Sequence, residues 1–224
     1  HTALVLAGVC TPGGDLETIH AVDPRRERTR VRTRDGLSVH PGSTRLRTLR
    51  DDVGDRRMHT ATALVQVGLD LDETGFAVLV DQALGRGRTT TSDIATALDA
   101  QGRRHHRVGR LHQLLASADP LSTGPGASRL RVVLMGLGFR PRLRVPIRGR
   151  DGGVLARPEL LIGTAIAVVR TAYPLDVLER LRQVGVAVAV VRDEDLAHPE
   201  RVARAVARAM QEVAVIQRAR ARGA

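Results

Sequence analysis

Between Gly126 and Arg208 short apolar segments follow one another in an order that few folds accommodate. The stretch runs helix (Ala127 to Leu137), strand (Arg142 to Ile147), strand (Val154 to Ile162), strand (Ala165 to Arg170), helix (Leu175 to Gln183), strand (Val186 to Val191) and helix (Pro199 to Met210). Strands grouped together and then interleaved with helices predict an α/β unit. Ahead of it, Ser117 to Gly126 carries Asp119-Pro120 and Gly124-Pro125-Gly126, the strongest break in the chain. A chain of 224 residues accommodates one large domain or two small ones. The break favours two.

The first half reads as a separate α+β region. Residues 1 to 9 are apolar and suit the end of a helix. Leu16 to Val22 and Arg28 to Arg34 nearly alternate; Thr29, Val31 and Thr33 share one face, and Arg30, Arg32 and Arg34 the other, as in a half-exposed strand. Asp35-Gly36 is a hairpin signal, and Leu37 to His40 continues as a strand. Helices are predicted over Thr60 to Val67, Asp72 to Gly85, Ile94 to Ala100 and Arg104 to Ala116. In the second, Phe76, Val80 and Ala83 share a face; in the fourth, Val108, Leu111, Leu114 and Leu115 form a stripe. Thr91 or Ser92 is placed to cap the third.

Charge narrows the partners. The net charge is +11, and all 35 basic side chains are Arg. Such a surface attracts polyanions with a salt-dependent, sequence-blind affinity, and the guanidinium fork suits phosphate. Arg30, Arg32, Arg34, Arg103, Arg104, Arg107, Arg148 and Arg150 are the candidate nucleic-acid contacts. The competing explanations are a solvated surface and, at Arg30 to Arg34, arginines that blunt a strand edge. Base-stacking platforms are scarce, because the aromatic side chains are two Phe and one Tyr. The single cysteine, Cys10, excludes an internal disulfide and suggests a reducing cytoplasm. No apolar run approaches the ~20 residues of a membrane span, and the opening residues do not resemble a signal peptide. The absence of an initiator Met suggests that residues upstream of His1 are missing.

Several motifs dissolve on inspection. In Arg103-Arg-His-His-Arg107 the adjacent histidines point about 100° apart on a helix and form no chelating face. Gly136-Leu-Gly138 and Gly85-Arg-Gly87 follow helices and read as helix stops. Without Lys there is no phosphate loop of the Walker type. Asp193-Glu-Asp195 precedes Pro199 and reads as the start of the last helix rather than a metal site.

The element order of the second half, with Gly126-Ala-Ser-Arg-Leu-Arg, Gly138-Phe-Arg-Pro and Val190-Val-Arg-Asp-Glu-Asp-Leu, resembles the very-short-patch-repair-like endonucleases of actinobacteria, within the PD-(D/E)xK superfamily. That resemblance implies a restriction-endonuclease-like three-layer α/β domain with a mixed sheet. It also implies a magnesium site built from strand carboxylates, with a Glu on the first helix. Here Ala127 stands at the helix position, Glu159 where a strand Asp is expected, Arg170 at the acidic strand end and Ala172 at the third site. The family's Gly- and His-containing turn is replaced by Thr171-Ala-Tyr-Pro, and Val186 stands where a Trp is usual. Glu159 beside Arg170 is expected to form an ion pair rather than a cation site. The first half, through Thr60-Ala-Thr-Ala-Leu, Val80-Asp81-Gln-Ala-Leu and Thr91-Ser-Asp-Ile, resembles the effector region of abortive-infection antitoxins.

The expected organisation is an antitoxin-like α+β region (1–118), a linker (119–126), an endonuclease-like domain (127–216) and a basic tail (217–224). The expected function is non-catalytic, salt-dependent association with DNA, regulatory in an antitoxin-type system, without a cofactor and without a membrane. The alternatives are a divergent magnesium-dependent endonuclease using Glu159 with Asp151 or Asp193, an interaction module for a toxin-like protein partner, and a decaying gene product.

Overall fold

Wherever apolar residues fall at helical spacing, buried faces form, and these faces sort the chain into two compact units, His1–Pro120 and Leu121–Ala224. A computed structural model of the chain describes residues 3–4, 9, 19–23, 32–34, 37–41, 48–50, 56–101, 107–122 and 124–223. The division falls inside the Ser117 to Gly126 break.

In the first unit, β1 (Ile19–Asp23), β2 (Arg32–Arg34) and β3 (Leu37–Pro41) form a sheet ordered β1-β3-β2. β2 and β3 are antiparallel, with Arg34 opposite Leu37 across the expected hairpin, while β1 runs parallel to β3. The turn residues 35–36 lie outside the described residues. A second hairpin, β4 (Thr48–Arg50) with β5 (Arg56–Met58), has no counterpart in the sequence reading.

Four helices follow: α1 (Thr60–Asp70), α2 (Glu73–Gly85), α3 (Thr91–Gln101) and α4 (Val108–Ala116). Phe76, Val80 and Ala83 of α2 and Leu111, Leu114 and Leu115 of α4 are buried in one cluster with Leu64, Ile94 and Leu98. Asp72 caps α2 by accepting from the Gly75 amide at 2.6 Å. Thr90, one residue ahead of the expected cap, caps α3: its Oγ1 accepts from the Asp93 amide at 3.1 Å and donates to the Asp93 carboxylate at 2.8 Å. Residues 102–106, the start of the expected fourth helix, lie outside the described residues.

The second unit is mixed α/β. Its elements are α5 (Pro125–Gly136), β6 (Pro141–Leu143), β7 (Ile147–Arg148), β8 (Val154–Ala156), β9 (Leu160–Ile162), β10 (Ile166–Val169), α6 (Leu175–Gln183), β11 (Ala187–Val190), a 3-10 turn (Asp193–Ala197) and α7 (Pro199–Gly223). The sheet is ordered β11-β10-β9-β6. β6 and β10 each run antiparallel to β9 between them, and α6 returns the chain so that β11 lies parallel to β10. Ile166 and Val168 pack with α5 and α7 through Leu130, Leu134, Val202 and Val206; Ala167, one residue out of phase, packs with Leu181 of α6 and with Ile147 and Ala156 of the β7–β8 hairpin.

Two expected strands are each broken in two. Arg142 to Ile147 divides because Arg144 takes a positive φ of 49° and Pro146 has no amide to donate. Val154 to Ile162 divides at Arg157-Pro158-Glu159, again at a residue without an amide hydrogen. Gly138 ends α5 as expected: its φ of 85° allows the Phe139 amide to reach back to Leu134 O at 3.0 Å. The stretch expected as a basic tail is instead helical, since α7 continues to Gly223. Among the described residues no helix is long and apolar enough to cross a membrane.

Candidate functional site

The sheet topology brings three polar residues from distant parts of the sequence to one edge. β9 runs antiparallel to β10, with Leu160 opposite Val168, so Glu159 at the entry to β9 lies beside Arg170 at the exit from β10. β11 runs parallel to β10 and ends at the same edge, where the Val191 amide donates to Val169 O at 2.9 Å. Asp193 follows two residues later.

Arg170 joins them. Its Nε donates to Glu159 Oε1 at 3.0 Å and Oε2 at 3.2 Å, one terminal nitrogen to Glu159 Oε1 at 2.8 Å, and its backbone amide to Oε2 at 3.0 Å. The other terminal nitrogen donates to Asp193 Oδ1 at 3.0 Å and Oδ2 at 3.3 Å. Both oxygens of Glu159 are therefore engaged by a single residue. The pair is partly shielded, with 26% of the Arg170 side chain and 22% of the Glu159 side chain exposed, while Asp193 is open to solvent. The Glu159 hydrogen bonds, opposed by burial and reinforced by Asp193, hold the Arg170 guanidinium above its ordinary value. Tyr173 is half-buried three residues on; burial and the Glu159 charge push its phenol up.

The first turn of α5 closes the cluster. A Cβ on Gly126 would stand 2.0 Å from a terminal nitrogen of Arg170 and 2.6 Å from Cζ, so the guanidinium lies across the space that glycine leaves. One cation between two carboxylates leaves one net negative charge, and the dipole of α5 favours that charge at its N-terminus.

The four positions expected as remnants of a metal site separate here. Glu159 and Arg170 meet, as the charge pattern suggested. Ala127 is buried in the first turn of α5, beside Gly126, and offers a methyl group. Ala172 is exposed and contributes nothing to the cluster. The sequence reads Asp193 first as part of a helix start and sets it beside Glu159 only in the alternative reading. Rather than starting α7, the acidic run forms its own 3-10 turn, with Asp195 accepting from the Arg192 amide at 3.1 Å and Asp193 turned to Arg170. Only the parallel alignment of β10 and β11 brings Asp193 within reach. Among the described residues no group of three or more His, Cys, Asp or Glu is arranged to hold a metal ion.

The expected nucleic-acid contacts scatter. Arg30, Arg103 and Arg104 lie outside the described residues, and Arg32 and Arg34 belong to β2. Arg107 turns inward and donates to the carbonyls of Leu69 and Leu71 at the end of α1, where a cation also suits the helix dipole. Arg148 and Arg150 are exposed, Arg148 donating to Gly152 O at 2.8 Å within its hairpin. The sequence reading passed over further exposed arginines: Arg142 in the edge strand β6, Arg140 and Arg144 on either side of it, and Arg157. Alternation of Arg with Pro141 and Leu143 was the available signal. None of these six pairs with a carboxylate among the described residues, and Arg142 donates from one nitrogen to Gly163 O at 2.7 Å.

Comparison of the chain with protein-family models, with curated proteins and with solved structures finds no match.

Proposed function

We propose that the second unit is a nucleic-acid-associating module that performs no cation-dependent cleavage, derived from an endonuclease-like scaffold. One observation carries the absence of cation-dependent cleavage. A guanidinium occupies the space between Glu159 and Asp193 that a divalent ion would need, and it uses the same oxygens. A cation entering there would meet Arg170 at close range, a repulsion of roughly 1 to 4 kcal/mol per unit charge at ~4 Å depending on screening. It would also have to break the hydrogen bonds already made. Such a group stabilises the scaffold and leaves no hard-oxygen site for an ion that activates water.

Association with nucleic acid is supported by the net charge of +11 and by the exposed arginines around β6 to β8. Their planar forks suit phosphate oxygens, and the near absence of aromatic side chains disfavours recognition of unstacked bases. Binding is expected to be sequence-blind and to weaken by about a hundredfold or more between about 50 mM and about 200 mM salt. Fluorescence anisotropy with two labelled duplexes of unrelated sequence measures both properties. Salt-independent affinity, or cleavage of a plasmid in magnesium that Glu159→Ala abolishes, would overturn the proposal.

A further inference from the structure

The outer face of α7 carries a row of positive charge that the fold itself does not use. Arg201, Arg204, Arg208, Gln211, Val215, Arg218 and Arg222 recur every three or four residues, and all are exposed. At 100° per residue they share one stripe about 100° wide. The opposite side, through Val202, Ala205, Val206 and Ala209, is buried against the sheet, which fixes the helix and aims the stripe outward. The two carboxylates of α7 have partners outside the stripe: Glu212 accepts from Arg182 of α6 at 2.6 Å, and Glu200 lies 3.5 Å from His198. Arg201 shares Asp195 at 3.6 Å, while Arg204, Arg208, Arg218 and Arg222 have no acidic partner among the described residues.

We infer that this stripe is a docking face for the phosphate backbone of duplex nucleic acid. The inference rests on the reading above and locates a surface for it. From Arg201 to Arg222 the stripe spans about 32 Å at 1.5 Å per residue, comparable to nine base pairs of duplex at about 3.4 Å per step. A straight row of forked cations matches a repeating row of phosphates. An anionic membrane is the weaker fit. Helices that lie in a bilayer interface insert Trp, Phe or Leu, and the face of α7 that would enter the bilayer is already spent on the sheet.

The test uses the full chain in two variants of equal charge. One carries Arg204→Gln, Arg208→Gln and Arg218→Gln. The other carries Arg86→Gln, Arg88→Gln and Arg129→Gln, exposed positions outside α7. Circular dichroism checks that both remain folded. Binding to a labelled duplex is followed by anisotropy across a salt series. The α7 variant is expected to bind roughly tenfold or more weakly near ~100 mM salt, with a log–log salt slope shallower by roughly 2 to 3, while the control variant stays close to wild type. A wild-type chain that binds duplex steeply in salt, with the α7 variant unchanged or the control equally weakened, overturns the stripe and leaves the broader reading standing. A wild-type chain that does not bind duplex at low salt overturns both. Phosphatidylserine vesicles that capture the wild type but not the α7 variant, with duplex binding unaffected, assign the stripe to a membrane and overturn the inference.

Discussion

Tyr173 is the only tyrosine in the chain, and both influences on it act in the same direction. Burial removes water from the phenolate, and the Glu159 carboxylate repels it. A raised folded pKa means that the native state holds its phenolic proton more tightly than the unfolded chain does. Its contribution to stability is therefore complete below about pH 10, the unfolded value, and is lost as pH rises through the folded one. Absorbance titration of phenolate should give a higher midpoint for native than for urea-unfolded protein, and Glu159→Gln should lower the native midpoint part of the way. A native midpoint left unchanged by Glu159→Gln would show that Glu159 does not act on Tyr173, and coincident native and unfolded midpoints would contradict the burial as well. Gly126 and Arg170 allow a second residue-level test. Arg170→Ala leaves two carboxylates without their cation and is expected to cost about 1 to 3 kcal/mol. Gly126→Ala drives a methyl group into the guanidinium and is expected to cost about 1 to 2 kcal/mol. With Arg170→Ala already present, Gly126→Ala should become neutral or stabilising, since alanine is the better helix former. Urea unfolding measures the cycle, and additive effects would mean that the two residues do not touch.

Among the elements, legibility followed the range of the forces involved. The buried faces of α2 and α4 could be read from the spacing of Phe76, Val80 and Ala83 and of Leu111, Leu114 and Leu115, because helical period is local information. The breaks within Arg142 to Ile147 and Val154 to Ile162 were obscured by strand-like residues on both sides of each break, although Pro146 and Pro158 marked where ladder bonds fail. The Glu159–Arg170 pair was expected because the resemblance set both residues at neighbouring strand ends with opposite charges, whereas the Asp193–Arg170 contact needed the β10–β11 alignment, a tertiary fact. The contact between α1 and α2 was also hidden. A Cβ on Gly68 would stand 2.2 Å from Cδ2 and 2.7 Å from Cε2 of the fully buried Phe76 ring, so this glycine sets how closely the two helices approach. Gly68→Ala is expected to destabilise the chain by about 1 to 3 kcal/mol despite a better helix propensity. Thermal unfolding of that variant at or above the wild-type midpoint would refute the close approach.

Across the whole molecule, the net charge of +11 and the division into two units were visible in composition and in the Ser117 to Gly126 break. Where the charge acts was not, since Arg107 caps a helix while α7 extends through the expected tail and lines up its arginines. At the β9–β10 end the mixed sheet brings Glu159 and Asp193 together, and the Arg170 guanidinium between them takes up the oxygens that a cation would need. The most direct measurement is a titration of Mn²⁺ into wild-type protein and Glu159→Gln, with free ion followed by electron paramagnetic resonance. The prediction is that wild type and variant leave the free-ion signal equal to that of buffer. A stoichiometric Mn²⁺ retained by wild type and released by Glu159→Gln would mean that Arg170 yields its place to metal, and would contradict the account.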